Sequence, residues 1–207
     1  FPTNSRSFSG IVGYFFEQGE LDKAITYFKN GLLVDPQNIP LLNSLSKAYR
    51  INKMYDKAED LSLQAIQLDL NDSDSYNSLG AIYYDKGEME KAEQYFTKAI
   101  RINPKNWSPH TNMGVIYFKK RLFDEAIQEF EKGIQLSPDQ VGAYVNLALA
   151  YENKQLLEKA ILYLKRALDY FPDSYIALFH LGRIYYNQGN FGAANFYFNE
   201  ALRLKSE

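Results

Sequence analysis

The chain has 207 residues, 46% of them hydrophobic and 23% charged, which is the balance of a folded protein rather than a disordered one. A formal net charge of −2 offers no basic excess for gripping nucleic acid, and the absence of cysteine excludes disulfides, thiolate metal sites and cysteine nucleophiles. No apolar run approaches the roughly 18–20 residues that a helical membrane span requires, and no signal-peptide core opens the chain. A cysteine-free chain fits cytosol and periplasm equally.

Written in rows of 34 from Ser5, with new rows at Ile39, Ser73, Trp107, Val141 and Tyr175, the sequence falls into register without insertion or deletion. Residues 1–4 stand before the first row as a leader, and each row predicts two amphipathic helices. Row one (5–38) carries Ile11 and Phe15 on its first helix, Gly19 as the stop, and Ala24 and Gly31 on its second. Row two (39–72) repeats this as Leu45, Tyr49, Ala58 and Ala65. In row three (73–106), Tyr76, Leu79, Gly80 and Tyr83 share one helix face. Gly87 turns the chain, Ala92, Phe96, Ala99 and Ile100 line the second helix, and Asn103-Pro104 ends it. Row four (107–140) answers with Met113, Gly114, Tyr117, Ala126, Phe130 and Pro138. Row five (141–174) has Leu147, Ala148, Tyr151, Ala160 and Pro172, and row six (175–207) has Leu181, Gly182, Tyr185, Gly189 and Ala194. Column 20 is alanine in every row, which implies a helix-helix approach too close for anything larger.

These words, Tyr76-x2-Leu79-Gly80-x2-Tyr83, Ala92-x3-Phe96 and Pro104, resemble the tetratricopeptide repeat family, and the resemblance covers residues 5 to 207. Row two departs from the pattern, with Ser62 and Leu70 where the family has Phe and Pro. The resemblance implies an all-α fold, an α-solenoid of stacked antiparallel helix pairs wound as a right-handed superhelix with a concave groove. It also implies a single domain over residues 5–207 acting as a non-enzymatic protein-protein interaction scaffold, and a chain that begins and stops on row boundaries without a cap is expected to be a fragment of a longer protein. The alternative is the substrate-recruiting domain of a larger enzyme such as a glycosyltransferase.

Catalytic signatures are absent: the sequence holds no phosphate-binding loop, dinucleotide fingerprint, zinc-protease helix or nucleophile elbow, so no cofactor and no metal is expected. His110 falls at a packing position and His180 near the groove. Asn71-Asp72-Ser73 and Asn106-Trp107-Ser108 match the glycosylation sequon, a weak pattern.

The family's concave side is lined by columns 2, 5, 9, 12 and 13 of the first helices. Column 12 is aromatic at Phe16, Tyr84, Phe118 and Tyr186, and column 9 turns apolar at Val115 and Leu149 before Arg183. Val145, Ile176 and Phe179 extend an expected apolar floor, the kind of patch that marks a binding surface. Asn112 and Asn146 at column 6 resemble the asparagine ladder with which sugar-transferase relatives grip a peptide backbone. The carboxylate clamp of chaperone-tail adaptors is not matched, since Asn43 and Lys47 stand in reversed order. The expected groove therefore comprises Tyr84, Asn112, Val115, Phe118, Val145, Asn146, Leu149, Phe179, Arg183 and Tyr186, holding a peptide or protein partner and no nucleic acid. Row six, with Phe196-Tyr197-Phe198 and no polar cap, predicts self-association or a continuing chain at that end.

Overall fold

The computed structural model describes residues 14–15 and 18–206; the start of row one, with Ser5, Ile11 and Phe16, lies outside them. Among the described residues the regular elements are all helical: α1 (Leu21–Val34), α2 (Ile39–Ile51), α3 (Tyr55–Leu68), α4 (Ser73–Asp85), α5 (Met89–Ile102), α6 (Trp107–Lys119), α7 (Phe123–Leu136), α8 (Val141–Asn153), α9 (Leu157–Tyr170), α10 (Tyr175–Asn187) and α11 (Phe191–Ser206). They group into two compact units, Phe1–Pro104 and Lys105–Glu207. Within each unit, successive helices pack as antiparallel pairs.

One turn recurs in every row. The backbone N–H of Glu88 donates to Tyr83 O at 2.8 Å, and the N–H groups of Met54, Leu122, Leu156 and Asn190 do the same to Tyr49, Tyr117, Tyr151 and Tyr185. This six-residue closure needs a left-handed residue just past the helix, supplied by Gly19, Gly87 and Gly189 at φ 68, 81 and 77°. The equivalent residues elsewhere are Lys53, Arg121 and Gln155 at φ 58, 62 and 60°, where a side chain bears the strain that glycine avoids. Closure of the turn thus dictates the backbone whether or not glycine is present.

The opposite ends of the first helices are capped by side chains. Asn38, Asp72, Asn106 and Ser174 accept backbone N–H groups of the following helix, at 3.0, 2.9, 3.2 and 3.3 Å. Gln140, at the start of α8, makes no such bond. Asn106 is a half-buried cap.

Size complementarity closes each hairpin. A Cβ on Gly80, Gly114 or Gly182 would sit 2.5, 2.6 or 2.7 Å from the ring of Phe96, Phe130 or Phe198. Where α8 carries Ala148 instead of glycine, α9 answers with the smaller Leu164. The hairpin α2/α3 departs further: Ser46 and Ser62 meet at 2.7 Å, and Ser46 also donates to Ala58 O at 2.7 Å. Two buried hydroxyls there replace the ring and satisfy each other. Column 20 (Ala24, Ala58, Ala92, Ala126, Ala160 and Ala194) is buried throughout.

Candidate protein-binding surface

In the C-terminal unit the first helices α6, α8 and α10 lie in sequence, with α8 touching both of its neighbours. Their inward residues join one core with α7 and α9, containing Phe130, Leu147, Leu164, Leu181 and Ile184. Val115, Phe118 and Leu149 pack against this core while remaining half-buried, so part of each side chain faces outward. Phe118 also meets Phe123 edge-on at 5.5 Å. Asn112 and Asn146 are half-buried, and Asn146 makes no side-chain hydrogen bond among the described residues.

The register between neighbouring first helices is read from an ion pair. Arg183 on α10 donates to Glu152 on α8 at 2.6 Å, so column 9 of one row faces column 12 of the row before. Leu149 and Phe118 hold the same two columns one row back. One slot is therefore charged and the next apolar. Arg183 Nη2 also lies 3.2 Å from His180 Nδ1, and its Nε is buried without a hydrogen-bond partner. Burial and then the nearby guanidinium push His180 below its ordinary range, so it is neutral at pH 7 and can accept from Arg183.

Two expected floor residues sit elsewhere. Val145 is only 7% exposed and belongs to the core, because α10 covers its column; it is not part of an open floor. Phe179, in the same column one row later, packs on Phe198 at 5.7 Å and lines a different groove, between α10 and α11. Ile176 goes with it. Tyr186 is largely exposed and meets Phe191 edge-on at 5.4 Å. Column 5 points between hairpins here, and the signal for this in the sequence is Val145 itself, a residue of core type close to Tyr144 and Leu147.

Tyr84 belongs to the N-terminal unit, where burial and then Asp85 push its phenol above the ordinary range. Asn43 in that unit donates to Asp72 at 2.9 Å and accepts from Ser75, so its amide is committed internally. Arg50 pairs with Asp85. Lys47 is half-buried; burial and then Arg50 hold its ammonium below its ordinary range.

The hairpins also carry stacked tyrosines. Tyr83–Tyr95, Tyr151–Tyr163 and Tyr185–Tyr197 have ring centroids 5.3, 5.5 and 5.6 Å apart with nearly parallel planes. Tyr83 donates to Glu59 at 2.6 Å and Tyr151 to Glu131 at 2.7 Å, and each phenol is held far above its ordinary range, the first mainly by that bond, the second by burial and then by its bond. These bonds tie one row's second helix to the next row's first. They account for much of the aromatic load as packing.

His110 is buried, with Nδ1 2.7 Å from Glu129 Oε2. Among the described residues no group of three or more His, Asp or Glu side chains is placed to hold a metal ion. No described helix is long and apolar enough to cross a membrane.

Hairpins of this design, with small residues where helices cross and aromatics beside them, define a helical-repeat scaffold. Family models described as tetratricopeptide repeat match residues 73–106, 95–128 and 146–207, and one described as TPR repeat matches 123–155. The chain belongs to the tetratricopeptide repeat family, whose members are generally non-catalytic, and it is a protein-interaction scaffold. Among solved structures, a crystal structure of MamA is 29% identical over 77% of this chain and 93% of its own, with a TM-score of 0.57. The APC/C hetero-tetramer Cut9-Hcn1 shares the fold over 100% of this chain and 41% of its own, at 19% identity and a TM-score of 0.80. YrrB, described as a TPR protein with an unusual peptide-binding site, shares the fold at 22% identity over 85% of this chain and 91% of its own, TM-score 0.55. No curated protein matches the chain.

Proposed function

We propose that this scaffold binds without catalysing, and that it holds an extended segment of a partner protein along α6, α8 and α10. The observation that carries this reading is the outward half of Val115, Phe118 and Leu149 beside the uncommitted amide of Asn146. An extended peptide needs two things from a surface: donors and acceptors for its main chain, and apolar contact for alternate side chains. Asn146, together with Asn112, offers the first, and the Phe118/Leu149 slot offers the second. The Arg183–Glu152 pair closes the apolar stretch and favours a polar residue in the segment there. Phe118 and Tyr186 are the anchors, since aromatic side chains bring large contact area at low conformational cost.

The test is peptide binding to variants that keep the fold. Replacing Asn112 and Asn146 by Ala is expected to weaken binding at least about tenfold, equivalent to about 1.4 kcal/mol. Unchanged affinity, with helicity unchanged by circular dichroism, would sink the role of the amides.

A further inference from the structure

A groove of ≈ 520 Å³ lies between α7 and α9, the second helices of rows four and five. Both helices pack on α8, which keeps their backbones apart. Across the gap the Tyr163 hydroxyl donates to Glu131 Oε1 at 3.3 Å, and Tyr151 of α8 donates to the same oxygen at 2.7 Å. Tyr163 is held in place by stacking on Tyr151, with ring centroids 5.5 Å apart. The groove does not arise at a chain end: row six follows it as α10 and α11 and leaves it open.

Its lining combines two kinds of side chain. Ile134 and the ring of Tyr163, both half-buried, offer apolar surface. Lys132 and Arg166 stand on facing walls, at the same column of consecutive rows. Neither cation makes an ion pair among the described residues: Lys132 Nζ reaches Gln135 at 3.5 Å, and the Arg166 guanidinium lies over the Tyr163 ring at 5.3 Å. The carboxylate in the lining, Glu131, already accepts from two phenols. Burial and then Glu131 hold the Tyr163 phenol above its ordinary range, so it remains a neutral donor.

Other rows spend this column differently. In row three Lys98 covers the Tyr76 ring at 4.3 Å. Row four has His110 in place of that tyrosine, bonded to Glu129 at 2.7 Å, so Lys132 lacks the phenol that Lys98 covers. In row six the column holds Glu200, which pairs with Arg203 at 3.0 Å. Rows four and five thus bring two cations without carboxylate partners to one groove.

We propose that the α7/α9 groove docks an acidic segment of a partner protein. Its carboxylates pair with Lys132 and Arg166, and an apolar side chain between them rests on Ile134 and Tyr163. Gln128 and Gln135, which also line the groove, offer amides to its main chain. The charges select this occupant. A basic segment would meet two cations against one committed carboxylate, and a wholly apolar one would strip water from both without replacing it. Two cations on a chain of net charge −2 are too few to track a nucleic-acid backbone. Both cations are exposed, so the affinity is modest and falls with salt. The groove shares no residue with the α6/α8/α10 surface, so the two inferences stand or fall separately.

A display library of short peptides carrying Asp or Glu at every other position, panned on the 207-residue chain at low salt, supplies the probe. Peptides that it enriches, resynthesised with a fluorescein label, are expected to give saturable anisotropy that declines as salt is raised. Lys132→Glu combined with Arg166→Glu is expected to weaken binding at least about tenfold, and Leu149→Asp to leave it unchanged. Should the double reversal lose helicity, Lys132→Gln with Arg166→Gln replaces it. Absence of enrichment, or enriched peptides that bind the double variants as well as wild type, overturns the proposal. Peptide binding that Leu149→Asp abolishes would place acidic segments on α6/α8/α10 and overturns it too. So does a labelled single-stranded oligonucleotide that binds more tightly than the peptides and is lost with the same variants, which would assign the groove to nucleic acid. Concentration-dependent dimerisation that the double reversal abolishes would assign it to a second copy. Loss of peptide binding in protein expressed from its whole reading frame would assign it to the chain itself, and both outcomes likewise overturn.

Discussion

Hairpins α8/α9 and α10/α11 are built on the same columns and meet opposite surroundings. In the first, Val145 and Leu164 are buried; in the second, Phe179 is half exposed and the residue equivalent to Leu168, Leu202, lies mostly in solvent. The register sets the direction of a side chain, and the next helix decides whether it is core. An apolar residue at a stacking column is thus packing in one row and exposed in the next. The two hairpins also solve three local problems differently, and each difference can be tested by exchange.

The largest expected effect separates covered from bare. Leu164→Ala should cost roughly 2–5 kcal/mol through lost burial and a cavity, whereas Leu202→Ala should stay within about 0.5 kcal/mol. Urea denaturation of both variants checks this, and equal losses would mean that the α10/α11 face is packed after all.

Next is the close approach inside each hairpin. Gly182→Ala puts a methyl 2.7 Å from the Phe198 ring, where α8/α9 pairs Ala148 with Leu164. The single substitution should destabilise by about 1–3 kcal/mol, and adding Phe198→Leu should restore part of the loss. A double-mutant cycle without coupling would refute the size-matching of these columns.

Smaller gains come from giving row five what row six has. Gln140→Asn creates the cap that Ser174 provides for α10 and should raise stability by about 1 kcal/mol in thermal melts. Gln155→Gly relieves a left-handed residue where α10/α11 has Gly189, for a gain of up to about 1 kcal/mol.

The smallest effect concerns pH. Row five has Asn146 where row six has His180, whose folded pKa is lowered from 6.5 by burial and then Arg183. A group of that kind contributes stability that is present above pH 6.5 and lost as pH falls below it, because the unfolded chain takes up the proton first. Acidification should also set a charged His180 against Arg183 and loosen its bond to Glu152. His180→Asn should flatten the stability-pH curve below pH 6.5, and an unchanged slope would exclude His180 as the cause.

Much of the fold was legible because packing writes the same constraint once per row. The alanines from Ala24 to Ala194 announce a close helix crossing, and Gly80, Gly114 and Gly182 each require the ring opposite. The left-handed residues Lys53, Arg121 and Gln155 were not legible, because hydrogen bonding in the turn imposes that backbone on residues with no preference for it. For the candidate site, burial divides the expected residues. Val115, Phe118 and Leu149 emerge at a surface, whereas Val145 and Phe179 left the expected floor, because helix-to-helix register is a property of neighbouring rows that one row does not state. The charged slot of Glu152 and Arg183 came from the same register, visible only once both helices were in place.

The central claim, that α6, α8 and α10 form the peptide-binding face, is tested most directly by selecting ligands for it. A random-peptide display library panned on the Lys132→Glu, Arg166→Glu double variant should enrich sequences that bind it and wild type alike and lose binding to Leu149→Asp. Enriched peptides that bind Leu149→Asp as well as wild type would contradict it.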